Sequence, residues 1–395
     1  MGNDEMTEYW IWLSRTLGAG AKINDLLSYF GSPDEMYQAG SNEWRLSGLL
    51  TAKQIENLKQ FSPSESSEIY RICEKNFWHI VTPSSSYFPV ELMELPDMPA
   101  ALYVEGDCGV LKSRLNIAFV GTRKASSYSR KIASSLAYEI SRAGAVIVSG
   151  GALGIDSAAH EGALAAGGKT VAVLGCGLGT DYLQENSALR NEIAKNGALI
   201  SEFLPFTPAS RTTFPIRNRI ISGMSAGTVV IEAGERSGSL ITANLALSQG
   251  REVFAVPGDL TSSSYTGTNN LIRDGCTPVF SAEDIVRPFK FMFPDFKLKN
   301  DGEKMPEPVK RESGKEKIIP EKKQIKNEPK AVKRTDVSLS PNAKKVYDIL
   351  GETPLHIDEI TEKSALTSSQ VLAVMTELEL KGLVALENGR KYKII

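Results

Sequence analysis

Arginines, glycines and small hydroxyl side chains recur together at four places in this 395-residue chain, in patterns suited to gripping an anion. The first is Gly121-Thr122-Arg123-Lys124. A glycine lets backbone approach a ligand, and a guanidinium just beyond it can hold phosphate in a planar fork. The second is Ser149-Gly150-Gly151-Ala152-Leu153-Gly154-Ile155-Asp156. Three glycines leading into a helix expose backbone N–H groups at its positive end, which makes an anion nest. Asp156 would repel a phosphate that it faced, so its expected place is a helix cap or the side of an arginine. The third is Phe214-Pro215-Ile216-Arg217-Asn218-Arg219. Phe214 offers a flat face to a nucleobase, a contact worth about 1–3 kcal/mol. Arg217 and Arg219 lie two apart on a predicted helix and so point about 200° apart; one is expected at the ligand, the other in an internal pair. The fourth runs from Glu232 to Leu240, where Ser237, Gly238 and Ser239 suit an N-cap with a nest beside it.

Catalytic machinery does not accompany these loops. No Ser-His-Asp set or metal-ligand spacing is legible, so catalytic residues, metal and cofactor are all expected to be absent. ALAAGGKT (163–170) has Ala163 where a P-loop needs glycine and runs helix–loop–strand, the reverse of a P-loop. His160-Glu161 is followed by Leu164 where a zinc protease needs histidine. Gly175-Cys176-Gly177-Leu178-Gly179 follows a strand but lacks the spacing of a dinucleotide turn. Repeated phosphate grips and an aromatic platform without a nucleophile suit a bound polyanion, and single-stranded nucleic acid is the natural one.

The elements that must position these loops are visible as apolar runs. NIAFV (116–120), AVIVS (145–149), TVAVL (170–174), ALIS (198–201), TVVIE (228–232) and EVFAV (252–256) each precede small residues and a helical stretch. Unbroken runs of this kind indicate strands buried on both faces of a parallel, doubly wound α/β sheet. Such sheets bind ligands at the carboxyl ends of their strands. Around this sheet domain (115–287) the composition divides the chain further. Residues 1–69 read as a small helical module rich in tryptophan, and 70–114 as a lead-in containing a short strand at 101–104. Residues 288–337 read as a disordered basic linker, with 13 Lys/Arg against 7 Asp/Glu between 297 and 334. Residues 338–395 show three helices and a hairpin turning at Asn388-Gly389, a winged-helix plan.

The net charge of −2 rules out a uniformly basic coat, so a nucleic-acid site must be local. Four scattered cysteines, no secretory leader pattern and no apolar run of about 18 residues lead to the expectation of a cytoplasmic protein with no membrane partner.

VGTR (120–123), SGGALGID (149–156), FPIRNRIISG (214–223), EAGERSGSLITA (232–243), VPG (256–258) and GTNNLI (267–272) together resemble the DNA-processing protein A family, also called Smf. YFPVELMELPDMPAALYVEGD (87–107) looks like that family's lead-in. The resemblance covers most of the chain apart from the basic linker. It implies an extended Rossmann-like fold flanked by a sterile-alpha-motif or helix-hairpin-helix-like module and a winged helix. It also implies a non-enzymatic homodimer that binds single-stranded DNA and loads the RecA recombinase during natural transformation. The family's DNA pocket would carry over to Gly121, Thr122, Arg123 and Lys124, to Ser149, Gly150, Gly151 and Gly154, to Phe214, Arg217, Asn218 and Arg219, and to Ser237, Gly238 and Ser239.

Two other functions compete. A nucleotide phosphoribohydrolase would use Glu232 to stabilise an oxocarbenium, though Glu232-Ala233-Gly234-Glu235 departs from the usual Pro-Gly-Gly-x-Gly-Thr loop. A winged-helix repressor would read DNA through the helix that opens at Ser368. That helix carries Glu377 and Glu379 against Lys381, which favours a protein contact or weak binding through Arg390, Lys391 and Lys393.

Overall fold

The computed structural model describes residues 5–113, 115–298, 340–350, 355–364, 366–380, 383–387 and 391–394, in two compact units that divide after residue 310. The first unit begins with five helices: α1 (Glu5–Leu17), α2 (Ile23–Phe30), α3 (Pro33–Leu46), α4 (Ala52–Gln60) and α5 (Ser66–Lys75). Trp10, Trp12 and Trp44 are buried among them. Each buried indole must satisfy its N–H; Trp12 donates to the Phe61 carbonyl at 2.9 Å and Trp44 to the Met36 carbonyl at 2.7 Å. A Thr51–Gln54 capping box starts α4.

Then follow β1 (His79–Val81), α6 (Val90–Met93), β2 (Leu102–Gly106), β3 (Asn116–Val120), α7 (Ser127–Arg142), β4 (Val146–Ser149), α8 (Ile155–Ala165), β5 (Thr170–Val173), α9 (Ser187–Asn196) and β6 (Ala198–Ser201). The series continues with α10 (Thr213–Gly223), β7 (Gly227–Val230), α11 (Gly238–Ser248), β8 (Glu252–Ala255), α12 (Thr266–Arg273), β9 (Thr277–Pro278) and α13 (Ala282–Val286). The nine strands form one sheet in the order β1-β2-β6-β5-β4-β3-β7-β8-β9. From β6 to β9 every pairing is parallel, and β2 and β1 add an antiparallel edge.

All six expected strands are present within two residues of their expected bounds, and both faces of the sheet are covered. Ala118, Val120, Val146 and Val148 join one buried cluster, while Ile117, Phe119, Ile147 and Val229 join another. Alternate residues of a strand point to opposite faces, so continuous apolar runs are what a twice-covered sheet needs.

Two expectations are corrected. The lead-in contributes two strands to the sheet; β1 is only three residues long, too short to show a period of two. The chain expected to leave the sheet after 287 stays on it to the end of the described stretch. Phe289 is buried against Phe254, ring centroids 6.1 Å apart, and Phe293, Phe296 and Leu298 pack on the same cluster. These apolar residues offset the ordering that the basic composition further on would not. The rest of the expected linker, 299–337, lies outside the described residues.

The second unit has α14 (Pro341–Ile349), β10 (Leu355–His356), α15 (Ile357–Ser364), α16 (Ser368–Leu380), β11 (Val384–Glu387) and β12 (Lys391–Ile394). Its sheet order is β10-β12-β11, all antiparallel, over a core that includes Val346, Ile360, Val371 and Leu378. Glu377 is engaged inside this unit: Ser340 donates to its carboxylate from Oγ at 2.7 Å and from the backbone at 3.2 Å. This carboxylate closes the start of α14, so it does not count against DNA binding as an outward charge would. The Asn388-Gly389 turn, Lys381 and Arg390 lie outside the described residues.

Candidate nucleic-acid interface

Strand order sets the site. The chain goes one way from β3 to β4 and the other way to β7, so the loops after β4, β3 and β7 lie side by side at the carboxyl edge, the place where such sheets bind ligands. The loops are close-packed. A Cβ at Gly154, which has φ +84°, would stand 2.3 Å from the Thr122 carbonyl oxygen and 2.7 Å from that of Arg123. Only glycine permits both that approach and that backbone angle. On the other side Thr122 donates its N–H to the Glu232 carbonyl at 2.8 Å, and Ser126 donates its N–H to the Glu232 carboxylate at 3.0 Å.

Helix α10 lies over the ends of β4 and β5. The Thr213 hydroxyl donates to the Gly175 carbonyl at 2.6 Å, which ties the start of α10 to the loop after β5. Arg217 is almost fully buried there; it donates to the Gly150 carbonyl at 2.7 Å and to the Val173 carbonyl, and from Nε to the Asn218 amide oxygen at 3.1 Å. Burial pushes its pKa down and the Asp156 charge pushes it back up. A guanidinium titrates so far above neutrality that it remains charged. The exposed Arg123 guanidinium sits 4.8 Å from the centre of the Phe214 ring, and that of Arg217 sits 5.9 Å from it. Phe214 is half-buried, in contact with Tyr182 at 5.6 Å between centroids. A cavity of about 280 Å³ opens here, lined by Gly150, Gly151, Tyr182, Arg190, Phe214 and Arg217 among others.

The structure thus brings Gly121, Thr122, Arg123, Gly150, Gly151, Gly154, Phe214 and Arg217 to one place. Lys124 is exposed at the end of its loop, and Asn218 is half-buried against Arg217. Ser237 caps α11, its hydroxyl 3.4 Å from the Ser239 N–H and 2.8 Å from the Ser239 hydroxyl, on the loop after β7. Gly238 there is exposed, with nothing within 4 Å of an added Cβ.

Three expectations change. Arg219 leaves the site: its guanidinium is buried against Glu202 at 2.5 Å and Asp97 at 3.3 Å, on the side facing the helical module. Residues two apart on a helix cannot share a face. Ser149 is fully buried and donates to the Phe119 carbonyl at 2.6 Å, so it ties β4 to β3 and offers nothing to a ligand. The nest at 150–152 is partly filled from within, because Asp156 accepts from the N–H groups of Gly150 at 3.1 Å and Ala152 at 3.3 Å. The chain's own carboxylate stands where a phosphate was expected. Burial raises the Asp156 pKa, and Arg217 and these N–H groups oppose that rise.

The loop after β5 and Arg190 were missed. Arg190 donates to the Tyr182 carbonyl at 2.5 Å and lines the cavity. Gly175–Gly179 lacks the spacing of a dinucleotide turn, and the same glycines form a wall beside Phe214.

Groups that could do covalent chemistry are poorly placed for it. Burial raises the Cys176 thiol above its ordinary pKa, which keeps it protonated. His160 is fully buried against Thr170 at 2.7 Å, its pKa pushed down to about 3 by burial. Glu232 is buried and holds the start of α7.

A family model described as "DNA recombination-mediator protein A" matches residues 79–290, more than half of the chain. The chain belongs to that family. A second model, "DprA winged helix domain", matches residues 329–390. The DNA processing protein DprA of Bacillus subtilis is 45% identical over 51% of this chain and 68% of its own length. Protein Smf of Escherichia coli is 39% identical over 61% of this chain and 65% of its own. The X-ray structure of DNA processing protein A from Streptococcus pneumoniae superposes with a TM-score of 0.62 at 31% identity, covering 73% of this chain and 98% of that one. The match from residue 79 takes in the antiparallel edge strands, so the recombination-mediator fold includes the lead-in.

Proposed function

We propose that this recombination mediator binds single-stranded DNA along the carboxyl edge of its sheet. The carrying observation is the stack of Arg123 on Phe214 above the buried Arg217: two guanidinium groups and an aromatic face within 6 Å, at the mouth of a shallow cavity. Cations beside a ring suit a phosphate next to an exposed base, an arrangement that duplex DNA does not offer. In this reading Arg123, Lys124 and Arg190 meet phosphates, Phe214 and Tyr182 meet bases, and Ser237-Gly238-Ser239 extends the path past β7.

The protein then acts without covalent chemistry. It covers an incoming strand and passes it to the RecA recombinase in natural transformation, working as a homodimer in the cytoplasm. The family's description as a recombination mediator supports this reading. The engagement of Glu232 with Ser126 argues against phosphoribohydrolase chemistry, since that carboxylate already has a structural partner.

Fluorescence anisotropy with a labelled oligothymidylate and a duplex of equal length tests the proposal. Single strand should bind at least tenfold tighter, and equal affinity for both, or none for either, would refute it.

A further inference from the structure

The loop between Gly175 and Gly179 has an aromatic ring seated on each of its end glycines. A Cβ at Gly175 would lie 2.6 Å from Cδ1 of Phe214. A Cβ at Gly179 would lie 2.3 Å from Cε1 of Phe206 and 2.7 Å from Cη2 of Trp78. Phe206 and Trp78 contact each other at 5.8 Å between centroids; Trp78 is half-buried and Phe206 is 53% exposed. Bonds from Phe206 N–H to Leu178 O (2.8 Å) and from Gly177 N–H to Thr207 O (2.8 Å) fix the ring pair to the loop.

A second observation points to the same loop. Among the described residues, the non-glycine positions with positive φ are Phe77, Leu183 and Phe206, at +58°, +53° and +63°. Phe77 precedes Trp78, Leu183 follows Tyr182, and Phe206 is itself half of the ring pair. Side chains held in this region cost about 1–3 kcal/mol each, and such strain gathers at ligand-binding segments.

We propose that Trp78 and Phe206 form a second stacking platform, taking another nucleobase of the same unpaired strand that Phe214 engages, with the Gly175–Gly179 turn as the floor between. This rests on the reading given under Proposed function. Four residues reach at most about 14 Å, which is about four stacked nucleotides at about 3.4 Å each, so one strand spans both platforms. The cavity beside Phe214 is also lined by Gly177, Leu178 and Gly179, and Gly179 carries the Trp78–Phe206 pair, which leads the path from one platform to the other. Glu105, which accepts from Trp78 and interacts with Arg190, and Asp181 also line it, so this end meets bases while the phosphates stay toward Arg123.

Tryptophan emission reads this out, because Trp10, Trp12 and Trp44 are each no more than 5% exposed and Trp78 is the half-buried one. Saturating the full chain with an oligothymidylate of about 20 nucleotides should quench emission. Trp78→Phe should abolish the quench. Phe206→Ala should weaken binding roughly tenfold, within the range of one base–aromatic stack, and Phe206→Tyr should restore it. Wild-type affinity in Phe206→Ala, or a quench that survives Trp78→Phe, overturns the platform and leaves the proposed function standing, since the wild-type chain still binds. Absence of wild-type binding removes both. Trp78→Phe alone decides if Phe206→Ala fails to fold.

Discussion

Replacing Arg123 by alanine removes an exposed guanidinium whose contact is the Phe214 ring, so the fold should hardly notice. Stability is expected within about 0.5 kcal/mol of wild type, and oligothymidylate affinity should fall about tenfold in anisotropy titrations. Arg219 makes the opposite case. Arg219→Ala strands Glu202 in the interior, where burial already raises its pKa and Arg219 is the leading stabiliser of its charge. Breaking a buried pair from one side costs about 3–5 kcal/mol, visible as an early urea midpoint, while the folded fraction keeps its affinity. Arg217 and Arg219 lie on different sides of α10, one at the Gly150 carbonyl and the other at Glu202, and a helical spacing anticipates that division without saying which of them reaches the loop after β4. His160 predicts a pH effect. Its folded pKa of about 3 lies below the unfolded value, so its contribution is present above pH 6.5 and lost as pH falls toward 3. Between pH 7.5 and 5 this costs about 2 kcal/mol. His160→Gln should lose less stability than wild type over that range, measured as the difference between their urea midpoints.

At the level of elements, β3 to β8 were legible because unbroken apolar runs of this length have few other readings, whereas the loop after β5 was legible only as a turn and not as a wall of the site. The three-residue β1 was not, since it pairs only because β2 presents an edge to it. Nor was Asp156's occupation of its own nest: the residue types say that N–H groups and a carboxylate are near, and only the turn says that they meet. The glycines separate by the same logic. Gly154→Ala would press a methyl group into two carbonyl oxygens and should destabilise the fold and disorder the rim. Gly238→Ala meets open space, so the melting temperature should stay put. A loss of DNA affinity in Gly238→Ala would then report a strand passing close over that turn, and unchanged affinity would take the Ser237–Ser239 loop out of the path.

Over the whole molecule the net charge is −2, so attraction to DNA has to come from local groups. Each phosphate neutralised on a single strand contributes about −0.7 to the slope of log affinity against log salt. A site built on Arg123, Lys124 and Arg190 should therefore show a modest slope near −2, much shallower than that of a basic coat. The winged unit has a core of its own, whereas the helical module shares one with the sheet; neither supplies a residue to the rim described above. Ultraviolet crosslinking of an oligothymidylate to the full chain, mapped to peptides, tests this most directly. Crosslinks should fall on Phe214, Tyr182 and the 121–130 segment, and should be lost at the first of these in Phe214→Leu. Crosslinks confined to 340–394 or to the helices before residue 76, with none on the carboxyl edge of the sheet, would contradict the account.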